Sequence, residues 1–303
     1  KKFLKRLPYF RELLYFYNAL VHYRRPFAYL SARCFLSSKI KKIARRLDNS
    51  KNVSDFSVHL LSGHRYVDLL LWALYSWYRA LPASGQVFVH DDGSFDASDR
   101  AIILKLFPSA KIVDYAWAKK QTDVWLKDYP NIRDFRKADD KYIYALKLVD
   151  PFFVSSSDRV LVADVDVLWF SRPEEILNLL KTGKNFMMQG KGKMDYRLKD
   201  GRELPEEIAR ANAGVVGYQK TPAYLRALEE FFALNGKDNP SRLIDQAGYA
   251  FVLNRSGDLR LLPPEKYPIK GAVGPQTQAR HYTGPRRELF WIEGVRLLSK
   301  YVS

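Results

Sequence analysis

The sequence predicts an α/β fold: a mainly parallel central sheet flanked by helices, forming one domain over residues 51–303, preceded by a basic helical extension over residues 1–50. Three observations carry this. Strand-like and helix-like runs alternate from residue 56 onward, and such alternation closes as parallel strands joined by right-handed crossovers. The chain has 303 residues and is 47% hydrophobic, enough for one sizeable core. The charge is uneven: of a net +17, residues 1–50 carry 13 Lys/Arg against Glu12 and Asp48, whereas the rest carries 37 against 31.

In chain order, 56–61 reads as a strand ended by Ser62-Gly63, and 64–80 as an apolar-rich helix. Pro82 to Gly85 turn the chain into a strand at 86–90. A helix at 98–107 leads to a strand at 111–115. Residues 116–140 are polar and aromatic without a clear period and read as a mobile loop. A helix at 141–149 precedes a strand at 158–163. Pro173-Glu174-Glu175 has proline and acids where a helix should begin, and that helix runs to about Lys181. Strands follow at 185–189 and 215–218, helices at 222–234 and 241–253, and a strand at 259–262. Residues 190–210 are rich in glycine and charge and take no assignment. A long loop over 263–285 and a helix over 287–300 close the chain.

The first fifty residues space Phe3, Leu7, Phe10, Leu14 and Tyr17 by three or four. A basic amphipathic helix of this kind either lies on an anionic membrane or packs on the domain with a solvated basic face, and Pro8 and Pro26 interrupt any long helix. No run reaches the roughly 18–20 apolar residues that span a bilayer. One cysteine, Cys34, rules out an intramolecular disulfide and suits a reducing, cytoplasmic setting, with peripheral contact at the inner membrane face. Zinc-ligand spacing, a helix-turn-helix signature and basic-aromatic repeats are all missing, so nucleic acid is not an expected partner.

The chemistry centres on VLVADVDVLWF, residues 160–170. Side chains at i and i+2 of a strand share a face, so Asp164 and Asp166 can aim at one point. Carboxylates that close repel unless a cation neutralises them, and hard oxygen ligands suit Mn²⁺ or Mg²⁺. The plain alternative is two solvated loop acids. In open α/β sheets, ligands bind beyond the carboxyl ends of strands, which is where VFVHDDGSFD, residues 87–96, also places its acids. Asn212-Ala213-Gly214 precedes a strand, with an amide to present and small residues that admit a ligand. Asp245-Gln246 sits on an amphipathic helix. His281 in ARHYTGPRRELFW offers an imidazole to a metal, and Arg286 and Arg287 can grip phosphate.

In this order and spacing, Asp164-Val165-Asp166, Asn212-Ala213-Gly214, Asp245-Gln246 and His281-x-x-Gly284-x-x-Arg287 resemble the family 8 glycosyltransferases, the group of glycogenin and the lipopolysaccharide galactosyl- and glucosyltransferases. Residues 89–96 are instead similar to the D-D-G-S-x-D turn of family 2. Both families have the GT-A fold. The resemblance implies a metal-dependent transfer from a nucleotide-sugar donor, a UDP-sugar, to a glycan, glycolipid or protein acceptor. Asp164, Asp166 and His281 would hold Mn²⁺ or Mg²⁺. Gly284 and Arg287 would contact phosphate, although the family has Lys where Arg287 stands. Asn212, Asp245 and Gln246 would line the sugar pocket, with Gln246 near the reacting carbon. Asp91 or Asp92 would bind the base, Tyr66 would stack on uracil, and Lys147 would supply the basic donor contact. Family 8 retains anomeric configuration, and family 2 inverts it with a carboxylate base, a role for which Asp245 is the candidate. A nucleotidyltransferase or a non-catalytic GT-A binding protein is the competing reading. The first would normally carry a Gly-rich phosphate loop, and residues 61–66, LSGHRY, have one Gly.

Overall fold

The computed structural model describes residues 8–47, 52–81, 84–138, 143–236, 239, 241–284 and 287–300. The first segment holds α1 (Pro8–Val21), α2 (Pro26–Leu30), a π-helical stretch (Ser31–Leu36) and α3 (Ser37–Ile43). Next come β1 (Asn52–Ser62), α4 (Val67–Ala80), β2 (Ser84–Asp91), α5 (Ala97–Leu106), β3 (Lys111–Val113), α6 (Tyr115–Trp125), α7 (Pro130–Lys137) and α8 (Ala145–Val154). The second half adds β4 (Arg159–Ala163), β5 (Val167–Trp169), α9 (Glu174–Lys181), β6 (Asn185–Gln189), β7 (Ala211–Gln219), α10 (Pro222–Asn235), α11 (Ile244–Ser256), β8 (Leu259–Leu262) and β9 (Ala279–His281). A second π-helical stretch (Phe290–Val295) and α12 (Arg296–Ser299) end it.

Seven strands form the central sheet in the order β3-β2-β1-β4-β7-β6-β8, and β5 and β9 form a separate pair. The β3-β2-β1-β4 half is parallel, β7 runs antiparallel to both its neighbours, and β6 and β8 are parallel. Alternation along the strands feeds two cores. Leu161, Ala163 and Val215 face the core that holds α4, whereas Val160, Val162, Val216 and Tyr218 face the core of α10 and α11.

Four expectations are corrected. The part of residues 116–140 that is described, up to residue 138, is mostly helical: α6 starts at an Asp114 cap that accepts from Trp117 N at 2.9 Å, and α7 starts on Pro130. The apolar period there is broken because α7 buries Arg136, which pairs with Asp150 at 2.6 Å. Asn212-Ala213-Gly214 lies within β7 rather than before it. The loop 263–285 contains β9. The closing helix is largely π-helical.

The extension shares the main core. Ala19, Tyr29, Ala32, Ile40 and Ile43 are buried with α4 and Trp291, Arg33 pairs with Asp68 at 2.6 Å, and its guanidinium lies over the Trp291 ring. Pro26 opens α2, and the break at residues 22–25 keeps α1 and α2 from forming one long helix. Phe3, Leu4 and Leu7 lie outside the described residues. No helix among the described residues is long and apolar enough to cross a membrane.

One buried polar pair makes stability depend on pH. His59 Nδ1 and His90 Nε2 are 2.8 Å apart, and His59 stacks on Phe88. Their other nitrogens have no hydrogen-bond partner among the described residues. Burial, reinforced at His59 by His90 and Lys220, holds that imidazole well below its usual pKa. Burial and Arg136 push His90 down to about 3. Both are neutral in the fold and protonate on unfolding below about pH 6.5, so their contribution is complete above that value and falls as pH drops toward 3. Denaturant unfolding at pH 7.5 and 5.5 should show a loss of about 2–3 kcal/mol from this pair. The His59→Leu/His90→Leu variant should lose correspondingly less; equal losses in both proteins would remove the pair as the cause.

Candidate metal and donor site

The site forms where β4 ends. After Ala163 the chain turns, with Val167 N donating to Asp164 O at 3.1 Å, and enters β5. Asp164 and Asp166 therefore converge because they flank a tight turn, not because they share a strand face as the sequence suggests. β5 pairs antiparallel with β9, with Val167 opposite His281, and Tyr282 N donates to Asp166 O at 2.8 Å. This register sets residue 281 beside residue 166. α4 anchors the turn: Ser76 Oγ accepts from Trp169 N at 3.1 Å, and Arg79 donates to Phe170 O at 2.7 Å.

β7 supplies the opposite wall. Met187 pairs with Val216 but Met188 with Asn212, so residues 213–215 bulge out of the β6–β7 ladder, as often happens beside functional sites. Gly214 O accepts from Asp164 N at 2.9 Å. A Cβ on Gly214 would lie 2.3 Å from His281 Nδ1, so only glycine leaves room for the imidazole.

The charged groups interlock. Lys147 Nζ lies 2.6 Å from Asp164 Oδ1 and 2.9 Å from Asp245 Oδ2. Arg287 Nε and Nη2 donate to Asp166 Oδ2 at 2.9 and 2.8 Å. The remaining oxygens face His281 Nε2, Asp166 Oδ1 at 3.1 Å and Asp164 Oδ2 at 3.5 Å. Each carboxylate thus gives one oxygen to a permanent cation and turns the other toward the imidazole. His281 Nδ1 is 2.9 Å from Asn212 Oδ1, which also accepts from Gly214 N at 3.0 Å. Asn212 Nδ2 donates to Gln246 Oε1 at 2.9 Å, which leaves the Gln246 amide nitrogen as its free end. When neutral, the imidazole donates from Nδ1 to Asn212 and keeps its lone pair on Nε2, the arrangement of a metal-ligating histidine.

Burial and charge split the two acids. Burial and the Asp166 charge raise the Asp164 pKa despite Lys147. Burial also acts on Asp166, but Arg287 and then His281 hold it far below the usual carboxylate range. His281 is raised, because Asp166 outweighs its burial. Lys147 is raised by Asp164 and Asp245, again against burial. The three inward atoms, one nitrogen and two carboxylate oxygens, lie within 4.8 Å of one another. That donor set fits a small divalent cation such as Mn²⁺ or Mg²⁺.

The structure therefore brings together Asp164, Asp166, His281, Asn212, Gln246, Asp245, Lys147 and Arg287. Tyr66, in the turn after β1, joins them through its ring, 4.9 Å from the Arg287 guanidinium. Gly284 is on an exposed stretch after β9, and Arg286 lies outside the described residues. Asp91 and Asp92 lie at the end of β2. Asp91 is committed to its own turn, accepting from Gly93 N, Phe95 N and Arg100. Asp92 accepts from Ser94 N at 3.0 Å and lays its other oxygen over Gly63. Sequence reasoning missed Tyr144, whose hydroxyl is raised by burial and by Asp245, with Tyr66, Arg287 and Asp164 also acting on it. Its signal was its place one helical turn before Lys147.

Comparison of the sequence with family profiles and with curated proteins returns no match. Among solved structures, the galactosyltransferase LgtC in complex with donor and acceptor sugar analogs is similar at a TM-score of 0.54 and 16% identity, covering 82% of this chain and 96% of that one. An active-site mutant of LgtC gives 0.50 and 13%, with the same coverage. Mouse xyloside xylosyltransferase 1 in its apo form gives 0.49 and 10%, covering 77% and 98%. The two LgtC likenesses establish that this chain has the GT-A fold.

Lys147→Met should cost about 3–5 kcal/mol in urea denaturation, since it strands buried carboxylates without their cation. Lys147→Met/Asp245→Asn should recover part of the loss. No difference between single and double variants would show that Asp245 does not depend on Lys147.

Proposed function

We propose that the protein is a divalent-metal-dependent glycosyltransferase that moves a sugar from a UDP-sugar to a hydroxyl of a glycan, glycolipid or protein acceptor, with retention of anomeric configuration. The observation that carries this is the convergence of His281 Nε2 with one oxygen each of Asp164 and Asp166 at the carboxyl end of β4 in a GT-A sheet. The single cysteine suits a cytoplasmic setting, where nucleotide sugars are supplied.

Asp164, Asp166 and His281 would hold the cation, which when bound neutralises the leaving diphosphate. Arg287, with Gly284 nearby in sequence, binds phosphate in exchange for its contact with Asp166. Tyr66 offers a ring for the uracil and Asp92 an acceptor oxygen for the base. Gln246, oriented by Asn212, has its amide N–H left to donate to an oxygen of the donor sugar and so position it for attack at the anomeric carbon. Asp245 is ion-paired to Lys147, which ties its carboxylate down rather than presenting it as a base, and this favours retention. An inverted product would move the base role to Asp245.

Calorimetric titration with UDP should show binding that requires Mn²⁺ or Mg²⁺ and is lost in Asp166→Ala. His281→Ala should weaken it by about 10–100-fold, the loss typical of metal-site partners. UDP binding unaffected by the cation and by both substitutions would overturn the reading. With an active donor identified from a panel of UDP-sugars, the proton coupling at the product's anomeric carbon reads retention directly.

A further inference from the structure

The extension buries one side and leaves the other apolar. The inward side is committed: Glu12 accepts from Tyr29 at 2.7 Å and Arg33 at 3.3 Å, and Ala19, Ala32 and Ile40 are buried. Eight of the twelve large hydrophobics exposed among the described residues fall within residues 13–35. On α1 they follow one helical stripe, with Leu13 63%, Tyr17 55% and Leu20 49% exposed. On α2 and its π-helical continuation they do the same, with Phe27 83%, Leu30 41% and Phe35 67% exposed. Exposed apolar residues clustered this way mark an interaction surface rather than ordinary surface scatter.

The charges flanking the stripe decide the partner. The same outward spacing continues along α3 and past it into Lys41, Lys42, Arg45 and Arg46, all exposed. Arg24 and Arg25 are exposed in the turn between α1 and α2, where Arg24 takes a left-handed φ of 52° to fold α2 back. Glu12 is the only acid between residues 8 and 47, and Arg33 occupies it. A two-fold contact between copies would set this basic face against itself. An apolar stripe flanked by cations matches the boundary between acyl chains and anionic headgroups.

We propose that this face docks on an anionic lipid bilayer, with Phe27, Leu30 and Phe35 entering the headgroup boundary and Lys41, Lys42, Arg45 and Arg46 lying against the headgroups. Attachment is reversible and salt-sensitive, since the charge attraction fades within a Debye length.

The only cysteine, Cys34, is exposed between Leu30 and Phe35 and serves as a reporter for a polarity-sensitive fluorophore. The full chain should sediment with phosphatidylcholine vesicles containing phosphatidylglycerol at low salt, and much less with phosphatidylcholine alone or at high salt. The Cys34 label should shift to shorter wavelength on binding. Lys41→Gln/Lys42→Gln/Arg45→Gln/Arg46→Gln should weaken partition by about 5-fold for each charge removed, and Phe27→Ser/Phe35→Ser should remove the wavelength shift. All these residues are exposed, so melting temperatures should hold. Should a variant melt early, the label on the otherwise unaltered chain still decides. No sedimentation with anionic vesicles at low salt overturns the proposal. So does binding with an unshifted label, which would mean that another face docks. Lipid-free self-association abolished by Phe27→Ser/Phe35→Ser would make the face an interface between copies. None of these measurements uses a nucleotide or metal, so they stand apart from the glycosyltransferase reading.

Discussion

Two carboxylates held on either side of one turn, mostly out of water, are the constraint on which the site depends. Left to themselves, Asp164 and Asp166 would repel at high cost. The chain answers with cations from three distant places: Lys147 on α8, His281 on β9 and Arg287 beyond it. Each of those segments must close on the end of β4 for the charges to balance. The electrostatics therefore ties α8, the β5–β9 pair and the last segment to one point. It also explains why the two acids titrate in opposite directions: the one beside Arg287 keeps its charge, and its neighbour bears the repulsion.

The backbone makes room for this arrangement by switching direction. A sheet that stayed parallel would place a helix crossover after β4. Here β7 runs antiparallel to β4, and its bulge brings Gly214 to the carboxyl end of β4, where the missing Cβ admits the His281 ring. Asn212 then holds that ring from behind and passes the alignment to Gln246. Asn212 thus orients the His281 imidazole and the Gln246 amide together. The short β5–β9 pair does the rest, because a register shift of one residue would turn His281 away from Asp166.

Most strands and most of the residues that converge at the site were legible in the sequence, because they rest on local signals: apolar runs, a lone D-x-D, an Asn-Ala-Gly triplet. What was not legible depends on contacts the chain makes later. The acids converge through a turn whose geometry is set by Val167 facing His281, more than a hundred residues away. α6 and α7 hid because their buried faces include Thr122 and Arg136, polar residues that become core only once Asp150 is in place. β9 was read as loop because three residues between proline- and glycine-rich stretches carry no period of their own. Tyr144 was passed over because an exposed aromatic has no sequence signature until Lys147, one turn on, is known to face the acids. Asp91 drew attention for its place after a strand, yet its own turn and Arg100 already saturate it.

The extension posed a choice between packing on the domain and lying on a membrane, and the helices themselves dissolve it. A helix with one apolar stripe can satisfy one neighbour. α1 has apolar residues on both sides: Phe16 and Ala19 pack against the domain, while Leu13, Tyr17 and Leu20 stay outside. In the next helical run, Tyr29, Ala32 and Ile40 are inside and Phe27, Leu30 and Phe35 outside. The inner contacts account for the fold, because Arg33 links Glu12, Asp68 and Trp291 in one half-buried junction. They leave the outer stripe with no folding role, and taking each exposed phenylalanine out of water would contribute about 2 kcal/mol. The exposed cations beside that stripe make an aqueous protein partner of like charge unfavourable and an anionic surface favourable. Packing thus fixes where the outer face points, and the charge selects what it meets.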